Sequence, residues 1–478
     1  MRSLINFNFK SLWLLSICLL LITACKKEDK TELKDSTKEI VSFTLRSANN
    51  QSFASGDISV SIQGTNINII VPYNTNLNPL IPVINFKGAS ISPVNEVPQN
   101  FSQAITYTVM AQDGTKIIYT VTVSFAAAPP ALVYMGASNN TFYALDANNG
   151  GLKWKYTSTA SFAYSSPTYA NGTIYVGGID NFLYAFEPLT GVVKWKKLLA
   201  TTGIESDAVV DNGTVYVGTN DDYLYAIDAN TGNIKWQYLT GGNVSASPTI
   251  LNDVVYFGSS DGKLYAVYKA TGLLKWSFQT GAMINQSGPA IANGIIYVGS
   301  RDNYLYAVNA NTGIQMWRYF TNVSLEGSSP TIANNIVYVG GWFNFSNNSL
   351  KGSLYAVNAT TGQLVWEKLQ NTGFSSSPCV SNGNVYMTGD DLKIHALNAT
   401  TGISIWSKQI LPNSASPAVY NGNVYVGGGG TQSFYALDAS SGIEKWKFLI
   451  PNGLMVSSPL IVSPSGQPYF SGDSGSLQ

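Results

Sequence analysis

The chain has 478 residues, of which only 11% are charged; 27 Lys and Arg stand against 27 Asp and Glu, with 44 Gly, 28 Tyr and 10 Trp. That length exceeds one small core and predicts two or three domains, and the neutral balance excludes the basic field that nucleic-acid binding requires. Low charge with many aromatic, β-branched and turn-forming residues predicts an all-β protein.

The first segment reads as targeting information. Arg2 and Lys10 form a basic start, Ser11 to Leu21 is an apolar run too short to span a bilayer comfortably, and Ile22-Thr23-Ala24-Cys25 follows. This resembles the lipobox of bacterial lipoproteins, which implies that residues 1–24 are removed as a signal peptide and that Cys25 carries the lipid anchor. Cys18 lies in the removed part, so Cys25 and Cys379 remain. With Cys25 lipidated no disulfide is available, and Cys379, next to Pro378 in an apolar run, reads as a core residue. Residues 25–37 are short and polar and read as a tether. Lys26-Lys27-Glu28-Asp29 resembles the charged export signal of Bacteroidetes surface lipoproteins.

Residues 38–125 alternate with a period of two, as in Ile58-Ser59-Val60-Ser61-Ile62 and Ile67-Asn68-Ile69. Ile105 to Phe125 reads as a hairpin with a type I′ turn at Asp113-Gly114. About seven short strands in this span fit a small immunoglobulin-like (Ig-like) β-sandwich. The pattern with Val71-Pro72-Tyr73, Tyr107-Thr108-Val109 and Tyr119-Thr120-Val121 resembles the Ig-like modules near the N-terminus of Bacteroidetes surface lipoproteins, where a spacer role and a glycan-binding role are both open. Residues 126–131, which include Pro129-Pro130, form a stiff linker.

From residue 132 to 478 the chain repeats. The consensus of the units is Val-Tyr-Val-Gly, then Leu-Tyr-Ala-Leu-Asp-Ala-Asn-Thr-Gly, then a tryptophan. The series is Trp154, Trp195, Trp236, Trp276, Trp317, Trp366, Trp406 and Trp446, at spacings of 40 or 41 residues except for one of 49. A period near 40 with four strand-sized segments is a propeller blade. In one unit these are 287–292 (A), 295–299 (B), 304–310 (C) and 314–320 (D). The domain begins at a B segment and ends after an A segment, so one blade mixes both ends of the repeat region. Pro468-Tyr469-Phe470 is then left over. The count predicts eight blades, with seven as the alternative.

Ala144 to Trp154 has the eleven-residue form of the tryptophan docking motif, and it recurs in all eight repeats. The region resembles the pyrroloquinoline-quinone (PQQ) dehydrogenase-like propellers, which include outer-membrane assembly lipoproteins. The resemblance implies that the eight tryptophans join blade to blade and do not bind ligand. It also raises the enzyme reading, for which the family uses a vicinal Cys pair, a calcium site and a catalytic Asp. This sequence has one propeller Cys, and its sole His, His395, stands in the Tyr slot of the repeat; most acids lie in Asp-Gly or Asp-Ala-Asn-Thr-Gly turns. The sequence therefore predicts no catalysis, no metal and no cofactor.

The 49-residue repeat carries an insertion between its B and C strands, 341–348, with Trp342, Phe343 and Phe345. B–C and D–A loops emerge on one face, where the D–A loops add Phe162, Glu205, Glu326 and Phe374. Exposed aromatics beside acids suit a sugar or a peptide, while Trp342 and Phe343 could instead fold back on the insertion's own small core. The readings rank as a non-catalytic lipid-anchored scaffold engaging a protein partner at the outer membrane, then a surface glycan-binding lipoprotein, then a quinone-dependent enzyme. Surface and periplasmic placement both stay open.

Overall fold

A computed structural model describes residues 33–50, 56–60, 62–342, 352–411, 415–454 and 457–470. The chain forms two units, residues 1–127 and 128–478. Cys25 and the segment before it lie outside the described residues. No helix among the described residues is long and apolar enough to cross a membrane.

The N-terminal unit is all β. Its strands are β1 (Glu39–Leu45), β2 (Ile58–Val60), β3 (Asn66–Val71), β4 (Pro82–Lys87), β5 (Ser90–Ser92), β6 (Ile105–Met110) and β7 (Lys116–Phe125). They form two sheets, β2-β1-β4 and β3-β7-β6-β5. The period of two places Ile67, Ile69 and Val71 inward, in one core with Phe43, Tyr107 and Val121. The β6–β7 hairpin forms as expected, but its turn differs from type I′. Only Gly114 takes positive φ, at 86°, while the Asp113 carboxylate accepts the Thr115 N–H and hydroxyl. That side-chain bond closes a longer loop than the two-residue turn, in which both central residues would need positive φ.

In the second unit the repeat becomes eight antiparallel sheets, seven of four strands and one of five. The innermost strand of each touches that of the next, and the last (460–462) touches that of the second sheet (168–170), so the ring is closed. The inner A–B turns supply the type I′ geometry: Asn171 and Gly172 have φ of 48° and 70°. The first sheet joins 132–136, 141–146 and 152–157 to 460–462 from the far end of the repeats. The leftover segment then adds 468–469 as a fifth strand inside 460–462. Its Tyr469 ring stands 4.7 Å from Tyr420, and Phe470 packs on the core beside Leu460.

Each tryptophan does what the docking motif implies. All eight indole N–H groups donate to a backbone carbonyl of the neighbouring sheet at 2.7–3.1 Å, from Trp154 to Pro188 through to Trp446 to Ala147, which joins the last repeat to the first. A tyrosine of the same sheet's B strand donates to the same carbonyl; Tyr297 and Trp317 both reach Ala359 O at 3.0 Å. A carbonyl oxygen has two lone pairs, and here both are used. The glycine of the next sheet's C–D turn then lies flat on the indole: a Cβ on Gly191 would come within 2.6 Å of the Trp154 ring. One extra residue ahead of each tryptophan, such as Lys153 or Lys194, makes a β-bulge that re-aims the ring toward the neighbouring sheet.

His395 substitutes for tyrosine as the repeat suggests. In three other blades the C-strand tyrosine hydroxyl donates to an aspartate four residues earlier, Tyr184 to Asp180, Tyr265 to Asp261 and Tyr306 to Asp302. His395 is buried, with Nε2 3.0 Å from Asp391 Oδ1. His395→Tyr is therefore expected to keep the denaturation midpoint within about 1 kcal/mol of the parent, while His395→Ala, which strips Asp391 of this partner, loses roughly 1–3 kcal/mol. Urea titration of the two variants checks this. Cys379 is buried in the core shared with Tyr386 and Val424, as read from the sequence.

Candidate functional site: the mouth of the propeller

The inner strands begin at one end of the central channel. Seven of the eight begin with Ser-Pro or Gly-Pro, and the exception is Asp207-Ala208. Proline holds the preceding residue extended, and here that residue's side chain accepts a backbone N–H of the preceding blade. Ser458 N donates to Ser166 Oγ at 3.1 Å, Ser166 N to the Asp207 carboxylate, and Asp207 N to Ser247 Oγ at 3.2 Å. Gly288 N donates to Ser329 Oγ, Ser329 N to Ser377 Oγ and Ser377 N to Ser416 Oγ, each at 2.9 Å, and Ser416 N to Ser458 Oγ at 3.3 Å. One step of the ring is missing, at Gly288, which has no side chain to accept. In five of the eight inner strands a serine one residue earlier ties the strand to its own sheet, as where Gly177 N donates to Ser165 Oγ at 3.0 Å, whereas Ala246 and Ala415 stand in that place in two others.

This ring stands at the inner end of a cavity of about 330 Å3, lined by Tyr164, Ser166, Glu205, Asp207, Ser245, Ser247, Gln286, Gly327, Trp342, Ser375, Asp390, Ser416 and Ser458. Three carboxylates and two aromatics meet there, with no Lys, Arg or His in the lining. Tyr164 is half exposed. Trp342 reaches the cavity over two glycines. A Cβ on Gly373 would fall 2.1 Å from Trp342 Cβ, and one on Gly327 would lie 3.5 Å from the indole nitrogen. Asp390 sits at the rim with Ser375 donating to Oδ1 at 2.7 Å. Its side chain meets solvent, yet the walls of the cavity desolvate the carboxyl and raise its pKa; the Ser375 bond opposes that shift and neighbouring Asp391 adds to it.

The structure brings Trp342 and Glu205 of the predicted residues to this cavity. Phe343 and Phe345 lie outside the described residues. Phe162 and Phe374 need correction: both are wholly buried and offer no surface to a ligand. Their N–H groups bond to Ala137 O and Gly341 O, and Ile204, Val244, Ile284 and Leu325 make the same bond in other blades and are also wholly buried. The slot is an interior apolar position of the repeat, a signal present in the sequence. Glu326 also falls outside the cavity lining. Its carboxylate pairs with Arg301 at 3.7 Å; burial raises its pKa and the arginine only partly offsets this. A carboxyl with a raised folded-state pKa stabilises the fold while protonated and loses that contribution as pH rises through the raised value. Glu326→Gln is therefore expected to raise the melting temperature at about pH 7 and to leave it unchanged below about pH 4. Calorimetry across that range checks it, and a lower melting temperature at neutral pH contradicts it.

Tyr164, Asp207, Gln286 and Asp390 were not singled out from the sequence. Asp207 could have been, because it alone breaks the run of Ser and Gly that opens the inner strands.

Comparisons with known proteins agree with this architecture. The family model described as outer membrane protein assembly factor BamB matches residues 118–207, 197–339, 282–373 and 350–476, and the model described as SGBP, N-terminal, matches residues 40–123. No curated protein matches the chain. Among solved structures, BamB from Moraxella catarrhalis is 19% identical at a TM-score of 0.51, covering 64% of this chain and 91% of that one. A europium-containing methanol dehydrogenase is 15% identical at 0.51, covering 62% and 81%. The quinohemoprotein alcohol dehydrogenase ADHIIG from Pseudomonas putida HK5 is 16% identical at 0.53, covering 73% and 74%. At these identities the likeness concerns the fold alone.

The quinone cofactor of the dehydrogenase-like propellers does not fit the mouth. Pyrroloquinoline quinone is a tricarboxylate, and the lining presents three more carboxylates with no cation to balance them. The one propeller cysteine, Cys379, is buried in a strand, so no vicinal pair faces the cavity. Among the described residues, no three His, Cys, Asp or Glu side chains group closely enough to hold a metal ion.

Proposed function

This chain belongs to the repeat-propeller family described as outer membrane protein assembly factor BamB, and from that premise we propose that it is a non-catalytic, lipid-anchored binding protein of the outer membrane whose mouth holds a glycan. The observation that carries this is the joint presence of Trp342 and Tyr164 with Glu205, Asp207 and Asp390 around one cavity. The C–H face of a sugar ring packs on an aromatic face, and its hydroxyls donate to carboxylates and accept from serine hydroxyls, so a neutral polyol satisfies such a lining without a counter-charge. The N-terminal module supports the same reading, since its family model is of the Bacteroidetes surface glycan-binding type. Cys25 is the proposed anchor.

A glycan array probed with the mature chain and with Trp342→Ala tests the reading. Signals lost in the variant support it, and an array blank for both rejects it. The family match favours a second reading, a scaffold for a protein partner; a partner captured equally by parent and Trp342→Ala, with a blank array, would put that reading first. Dye-linked oxidation on adding the quinone with calcium would reject the non-catalytic assignment. Proteolysis of intact cells decides between surface display and the periplasmic face.

A further inference from the structure

We infer that the mouth takes the end of a glycan chain, with the terminal sugar standing on the channel axis, and not an internal stretch lying across the propeller face. This rests on the glycan reading above and concerns how that ligand is held. The first reason is the wall. Lining residues come from the entry to every one of the eight inner strands, so the cavity is closed on all sides and is a well without the open ends of a groove. A sugar entering such a well has neighbours on every flank, and the rest of its chain can leave only outward.

The floor is the second reason. Asp207 and Ser247 also line a smaller cavity of about 70 Å3 further down the channel, bounded by Ala208, Val209, Pro248 and Phe470. There the surroundings turn apolar and the chain's own fifth inner strand, 468–469, enters from the opposite end. A polyhydroxyl chain gains no partners by going deeper.

The third is the donor pattern. Ser166, Ser247 and Ser416 each accept a backbone N–H at Oγ, and among the described residues no acceptor for their own hydroxyl protons is found. Their oxygens ring the base of the well. Donors at the base, carboxylate acceptors at Glu205 and Asp390 on the wall and aromatics at Tyr164 and Trp342 match a terminal sugar, which presents hydroxyls at its tip where an internal sugar has a glycosidic bond.

The test is titration calorimetry on the mature chain, with maltohexaose, cellohexaose, xylohexaose, mannohexaose and chitohexaose, the parent polysaccharide of each, and the cyclic hexamer α-cyclodextrin as an endless control. Only the binding lost in Trp342→Ala is counted. The result expected is one protein per chain for hexamer and polysaccharide alike, affinity per chain equal within about twofold, and no cyclodextrin binding. Several proteins per polysaccharide chain, affinity that climbs with chain length, or binding of the cyclic sugar overturns the end-on arrangement while leaving the glycan reading intact. Absence of binding in every series, or binding that wholly survives in Trp342→Ala, overturns both.

Discussion

Trp154→Ala is expected to lower the unfolding free energy by about 3–5 kcal/mol. The ring is nearly buried, packs 5.8–5.9 Å from Tyr134, Phe142 and Phe186, and donates its N–H to Pro188 O at 2.7 Å. Removing it opens a cavity between two blades and leaves Gly191 facing empty space. The Pro188 carbonyl keeps Tyr134 as a donor at 3.1 Å, so the loss comes chiefly from packing and less from an orphaned acceptor. Trp154→Phe, which keeps a ring, is expected to recover part of the loss. Urea denaturation followed by fluorescence measures both. A change below about 1 kcal/mol for the alanine variant would mean that the indole is not a structural joint.

Trp342→Ala is expected to behave in the opposite way. Its binding affinity should fall about tenfold or more, or roughly 1.4 kcal/mol, with the denaturation midpoint nearly unchanged. Trp342 is part-exposed at the mouth. The two tryptophans thus form a pair in which one residue type serves packing in the repeat and binding outside it. If Trp342→Ala destabilises as much as Trp154→Ala, the indole is a core residue of the insertion and the proposed site loses its main wall. The comparison needs both variants in one background, because a general loss of fold would lower binding for trivial reasons.

Much of the architecture was legible because repetition averages out local ambiguity. One segment such as Leu305-Tyr306-Ala307-Val308 is short and apolar and could be strand or buried helix; eight copies at one spacing, each followed by Gly and Trp, leave a propeller blade. The site was legible only in part, and for the same reason. Trp342 stood out because it breaks the repeat. Phe162 and Phe374 were misread as exposed because a loop position was judged by its place between strands, whereas its backbone N–H is bonded at the end of the B strand and its side chain is buried in the core. Asp207 was overlooked because an acid in a loop looks ordinary until the serines it replaces are seen to form a ring.

The sequence by itself determined the all-β class, the repeat, the docking tryptophans and the leftover segment at 468–470, since each is a local pattern whose meaning depends on spacing and residue type. Tertiary structure alone decided what those patterns enclose. The bulge before each tryptophan, the shared carbonyl acceptor, the fifth inner strand and the well with its carboxylates depend on residues far apart in the chain, as in the bond between Gly136 N and Ser457 Oγ, 321 positions apart. No spacing rule reaches that far, because closing a ring brings the two ends of the repeat region together by geometry, and the mouth exists only once the last blade has met the first.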